Sequence, residues 1–248
     1  MAGHSKWANI KHRKARQDAR RGSAWSKCAR AIIVAAKNGG GDPASNLTLR
    51  YAVEEAKAAN MPKDTIANAI KKGTGELAGE SYESAIYEGY GPGGVAVLME
   101  ILTNNRNRTA GEVRKIFDKG GGNLGSSGCV AYIFHPKGQV LVGKSDADEE
   151  KILQCVLDAG ADDVVDDGDF WQIVCDPADF IAVKDAVEAA EIPIESATMT
   201  RIPSTTVATA GNDARKLLGM IEVLEDHDDV QKVYANFEIP DEVMASIE

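Results

Sequence analysis

Seven cations crowd the start of this chain: Lys6, Lys11, Arg13, Lys14, Arg16, Arg20 and Arg21. Each can neutralise a phosphate, and together they suit a sugar-phosphate backbone. Trp7 and His12 lie among them and Trp25 just beyond, where their rings could stack on bases or sugars. A solubilising tail, with Trp25 in a helical core, is the competing reading. Nucleic acid is favoured because the basic run continues onto a predicted helix through Lys27, Arg30 and Lys37. If most of the arm engages backbone, roughly 6–9 neutralised phosphates give a steep salt dependence. Nothing in this pattern separates DNA from RNA.

A second cationic group is "TNNRNRT", where Arg106 and Arg108 precede a helix expected to open at Thr109, with Glu112 completing a capping box. Cations at a helix start oppose its dipole unless an anion lies between them. A phosphate bound by both guanidiniums and two solvated loop arginines are equally open readings. "GGGNLGSSG" has the glycines of a phosphate cradle in the wrong order, after a helix and before a strand. A loop that lets backbone approach a partner closely fits it better. "DADEE" and "DDVVDDGD" lack the spacing of a calcium loop and read as helix starts, turns and a solvated face. No His or Cys stands in a nucleophile or zinc pattern, so no enzyme active site, metal or cofactor is expected. The four cysteines are far apart and read as reduced cytosolic thiols.

Charge is segregated along the chain. Residues 1–40 carry +9, residues 41–135 carry −1, residues 136–204 carry −11 and residues 205–248 carry −7, for a total of −10. A basic arm on an acidic body is the signature of a partner, since solubility alone needs no segregation. No apolar run is long enough to span a bilayer, and no apolar h-region marks a secretory signal. The Arg-rich start also suits an organellar transit peptide, but its continuation into the first helix favours a cytoplasmic protein with no membrane partner.

Positioning these groups takes several elements. A helix is predicted from Ser23 to about Lys37, with Trp25, Ala29, Ile32 and Ala36 on one stripe and Lys27, Arg30 and Lys37 on another face. Asp42-Pro43 reads as the cap and first residue of a second helix carrying Leu47, Tyr51 and Val53. "NMPKDTIANAIKKG" is a third, ended by Gly73. Two strands then flank Gly-Pro-Gly-Gly, the Thr109 helix buries Val113, Ile116 and Phe117, and "CVAYIF" reads as a strand. From Lys137 the order is β-α-β-β-α-β, the ferredoxin-like split unit, with Trp171 in a strand as a core residue. One more helix (212–224) and strand (230–237) are too few for a domain and should rejoin the incomplete set before residue 136. The expected organisation is an arm (1–22), a three-helix domain (23–80), a middle α+β domain (81–135 plus 205–248) and an inserted ferredoxin-like domain (136–204), an α+β multidomain fold.

"MAGHSKWANIKHRKARQDARRG", "GGGDPASNLTLRYAVEEAKAANMPKDTIANAIKKGTGE", "YEGYGPGGVA" and "NRNRTAGEVRKIFDKGGGNLGSSGCVAYIF" closely resemble the YebC/PmpR family. That resemblance implies three domains, one inserted in another, and a cytosolic, non-enzymatic regulator of gene expression. Many members are described as DNA-binding transcriptional regulators, while others activate translation at the ribosome. Two partners therefore compete, promoter DNA and ribosomal RNA with tRNA. The ribosome is favoured because Lys27, Arg30 and Lys37 suit phosphate and no base-reading side chain lies beside them. A protein adaptor is the remaining alternative, and a monomer is expected.

Overall fold

The computed structural model describes residues 21–238, which form seven α-helices and several mainly antiparallel sheets, a mixed α+β fold. Helix α1 (Arg21–Gly39) buries Ile32, Ile33, Ala35 and Ala36 against α2 (Leu47–Ala58) and α3 (Lys63–Thr74). Asn46 joins the first two. Its Oδ1 accepts from Leu49 N at 3.1 Å and caps α2, while its Nδ2 donates to the Ala35 and Gly40 carbonyls at 2.9 and 2.8 Å. One buried amide thus satisfies orphan groups at the end of α1 and the start of α2. Asp42-Pro43 was the expected cap, but Asp42 instead accepts from Ala44 N at 2.9 Å and closes a turn. Gly73 does not end α3. A Cβ there would lie 2.5 Å from the Ile33 carbonyl, so it is the close approach of α3 to α1, and Gly75 at φ +85° makes the cap.

Strands β1 (Glu83–Tyr90) and β2 (Ala96–Thr103) form the expected hairpin, with Tyr90 opposite Ala96. Gly93 and Gly94 in the turn both have positive φ. After β2 come α4 (Arg106–Gly120) and the short β3 (Asn123–Leu124), which pairs with β1. The chain returns to this layer with β8 (Val207–Ala208), α7 (Gly211–Asp226), β9 (Val230–Ala235) and β10 (Phe237–Glu238). Strand β9 pairs antiparallel with β2, giving the order β3-β1-β2-β9, and β10 pairs with β8. Val97, Met99 and Ile101 of β2 pack with Phe117 of α4 and Leu217 and Ile221 of α7. The last expected strand is broken at Asn236, whose Oδ1 accepts from Ala96 N at 2.8 Å.

"CVAYIF" is not a strand. Residues Ala131–Ile133 form a 3-10 turn, and β4 (Phe134–Gly143) begins only after it. The reason is Glu88 of β1, which is 3 % exposed. Its carboxylate accepts from the amides of Gly128, Val130 and Ala131 at 2.6, 2.8 and 2.7 Å, so these donors are lost to any sheet ladder. The glycines nearby are steric. A Cβ on Gly122 would meet the Tyr90 carbonyl at 2.3 Å.

Between β4 and Pro203 run α5 (Glu149–Val156), β5 (Ala161–Asp167), β6 (Phe170–Cys175), α6 (Phe180–Ala189) and β7 (Ile194–Pro203). Their sheet has the order β5-β6-β4-β7, antiparallel throughout, as a ferredoxin-like β-α-β-β-α-β unit requires. Asp148 caps α5 by accepting from Lys151 N at 2.8 Å. Trp171 is half-buried, donating to the Ala147 carbonyl at 3.0 Å with Lys144 over its ring. Ile133–Ser204 forms one compact unit, and the described residues on either side of it form the other, with α1–α3 and the sheet of β3-β1-β2-β9 together.

Asn46→Ala removes a cap and leaves buried carbonyls without donors, so it should lower stability by about 1–3 kcal/mol. Asn46→Asp keeps the acceptor but loses both Nδ2 bonds, and should be no better. Thermal unfolding followed by circular dichroism checks both.

Candidate nucleic-acid interface

Of the candidate arm residues, Lys6, Trp7, Lys11, His12, Arg13, Lys14, Arg16 and Arg20 lie outside the described residues, as does the side chain of Arg21, whose backbone belongs to α1. Trp25 is in the helical core, half-buried, donating from Nε1 to the Ala59 carbonyl at 2.9 Å. The remaining candidates converge to an unexpected degree. Lys27 donates to the Glu225 carbonyl, and Arg30 donates to the Asp228 carbonyl and, at 3.1 Å, to Asp229 Oδ1. Arg108 donates to Asp229 Oδ2 at 2.7 Å. Three cations from α1 and α4 thus meet the last turn of α7 and the connection from it to β9.

The centre of this arrangement is Asp229, 3 % exposed. Besides both arginines, the hydroxyls of Thr103 and Thr109 donate to its Oδ2 at 3.1 and 2.7 Å. Burial works to raise its pKa, but the bonds from Thr109, Arg108 and Thr103 outweigh it, and the carboxyl titrates below its usual value. His227 frames the same turn. Its Nδ1 accepts from Asp229 N at 3.1 Å, so Nε2 carries the proton and faces Glu112 Oε2 at 3.1 Å.

Helix α4 opens at Arg106, not Thr109. Asn105 is its cap, accepting from Arg108 N at 3.1 Å, and Thr109 is buried because its hydroxyl serves Asp229. Both arginines therefore lie inside the first turn, where the dipole disfavours cations. The anion that offsets this for Arg108 is Asp229. Arg106 points elsewhere, exposed, with Nε 3.7 Å from Glu83 Oε2. Lys37 is also apart, donating to Ser81 Oγ at 2.7 Å.

An open groove of about 680 Å³ runs beside the cluster, lined by Arg30, Tyr82, Arg108, Lys115 and His227 together with Asp226 and Asp228. Its mixed charge does not make a simple phosphate cleft. Arg114, Lys115 and Lys119 stand exposed on α4, cations that the sequence reading passed over. Among the described residues no group of three or more His, Cys, Asp or Glu side chains is placed to hold a metal. Burial pushes the Cys175 thiol up to about 11, far from a reactive thiolate. Among the described residues no helix is long and apolar enough to cross a membrane.

Sequence reasoning missed both organising carboxylates. Asp229 is one of several acids in "EDHDD", and Glu88 is an ordinary acid in a strand. The only signal for Glu88 was a charged residue at an apolar position next to a glycine.

This combination defines a class: a mixed α+β protein with a helical N-terminal layer, a sheet interrupted in sequence by a ferredoxin-like unit, and a strongly basic leading segment. The model of the TACO1/YebC N-terminal domain matches residues 5–76, and that of the TACO1/YebC second and third domains matches residues 82–237. A relative from Persephonella marina, called a probable transcriptional regulatory protein, is 54 % identical over the full length of both chains. One of the same description from Geobacter sulfurreducens is also 54 % identical, again over both full lengths. The crystal structure of a conserved hypothetical protein from Aquifex aeolicus, 48 % identical, superposes with a TM-score of 0.81 over 92 % of this chain and 94 % of that one. The chain belongs to the TACO1/YebC family.

Asp229→Ala strands two buried hydroxyls and two arginines, and should cost about 3 kcal/mol or more. Because the folded carboxyl titrates below its unfolded value, its contribution is present above the unfolded pKa and lost as pH falls through the folded one. Acid unfolding curves should therefore be shallower for Asp229→Asn than for the parent, measured by denaturant titration between neutral pH and about pH 3.

Proposed function

We propose that this protein is a non-catalytic, nucleic-acid-binding regulator of gene expression that acts in the cytoplasm. The observation that carries the reading is the +9 charge of residues 1–40 on a chain of net −10. Such an arm holds phosphate, while the acidic remainder limits indiscriminate binding. The name shared by the relatives, probable transcriptional regulatory protein, supports a regulatory role.

Within that role we favour structured RNA of the translation machinery, with the arm as the grip and Arg106 as a further phosphate ligand. The supporting geometry is on α1. Reading a major groove needs a helix that offers base-contacting side chains. Lys27 and Arg30 are instead turned onto the 225–229 turn, which leaves α1 poorly suited to enter a groove. Binding to promoter DNA is the second reading, favoured by the relatives' name.

Replacing Lys11, Arg13, Lys14 and Arg16 with Ala should weaken binding to RNA and DNA alike. The slope of log affinity against log salt should shrink by about 0.7–0.9 for each phosphate that is no longer neutralised. Gradient sedimentation of lysates separates the targets. Co-migration with ribosomal particles that is abolished in this variant supports the RNA reading. Protection of a defined promoter sequence against excess competitor DNA, with no such co-migration, supports the other.

A further inference from the structure

The turn held by Glu88 ends in an exposed aromatic ring. Tyr132 is 71 % exposed, the highest value among the large apolar or aromatic side chains on the described surface. A single exposed ring is ordinary. Its support is not. A carboxylate is buried in β1 and satisfied by three amide donors, from Gly128, Val130 and Ala131, which orients residues 128–131. Tyr90 adds a fourth tie, its hydroxyl donating to the Cys129 carbonyl at 3.0 Å. Cys129 N donates to the Ser126 carbonyl at 3.2 Å, and Gly125 N to the Glu88 carbonyl at 2.8 Å. Burying a carboxylate is costly unless it is fully bonded, so this is a preorganised turn rather than a slack connection. The carboxyl titrates below its usual value because those amide bonds overcome the effect of burial.

The composition of the turn that carries the ring argues for its ligand. Residues 125–128 are Gly-Ser-Ser-Gly, exposed or half-buried and without bulk. A protein partner would ask for a contiguous apolar patch of a few hundred Å². One flat, exposed ring carried on an anchored turn of small polar residues suits a flat ligand with a π face. We propose that Tyr132 is a binding residue that stacks on an unpaired nucleobase, presented by the Glu88-anchored turn. The proposal rests on the nucleic-acid reading above and adds a grip on the base, where the arm grips phosphate. It also predicts a preference for single-stranded or looped RNA over continuous duplex, since a paired base has no free face.

The test measures fluorescence anisotropy of the full chain with a labelled oligoadenylate and with an RNA duplex of matching length. Tyr132→Ala should weaken single-strand binding about 5- to 100-fold, with the salt slope unchanged. Tyr132→Phe, which keeps the ring, should bind like the parent, and duplex binding should be unaffected by either change. Melting temperatures should stay equal, because an exposed ring contributes little to packing. If Tyr132→Ala binds the single strand as tightly as the parent, or loses duplex binding equally, the stacking proposal fails while the nucleic-acid reading stands. If the parent itself binds neither RNA nor DNA, that reading fails and the proposal with it.

Discussion

The buried carboxylate of Asp229 is the constraint on which the larger compact unit depends. It sits where three elements meet: α1 through Arg30, the end of β2 through Thr103, and the first turn of α4 through Arg108 and Thr109. A lone carboxylate there would be expelled to solvent or protonated. With four donors it is stable, and each donor fixes its own element. Lys232 of β9 adds an ion pair to Glu55 of α2, so the helices are tied to the sheet by directional bonds on two elements. Directional bonds of this kind specify one arrangement, whereas apolar packing alone tolerates sliding.

The same device recurs at Glu88, where the donors are backbone amides. Asp229 gathers side chains from distant elements, while Glu88 gathers a local turn. Both carboxyls titrate below their usual values despite burial, because hydrogen bonds to the charged form outweigh desolvation. Both therefore contribute to stability at neutral pH and lose that contribution in acid.

Much of the architecture was legible from sequence because periodicity is local. The β1–β2 hairpin, the three N-terminal helices and the split β-α-β-β-α-β unit all follow from apolar spacing and turn residues. What failed was decided at a distance. Asp42 and Asn46 are both good caps, and the choice fell to Asn46 because its amide also reaches Ala35 and Gly40. "CVAYIF" has strand composition, yet Glu88, some forty residues earlier, takes its amides. Arg30 and Arg108 carry the charge expected of phosphate ligands, but their partner lies more than a hundred residues away. No pattern of spacing reveals such a pair.

That redistribution sharpens the meaning of the basic start. Lys27 and Arg30 serve internal acceptors, so of the cations counted in residues 1–40 the share left for the proposed partner falls mainly to the arm itself. A phosphate grip confined to one short segment, as proposed, would associate fast and be salt-sensitive. It cannot choose a site, because phosphates are alike in every nucleic acid. Selectivity must come from elements with fixed geometry, and the Glu88 turn is one whose backbone is held by several bonds while its terminal ring faces solvent. On the proposed function, charge for encounter and a rigid surface for discrimination would be divided between separate parts of the chain, and the basic residues need not then be spread across the acidic body.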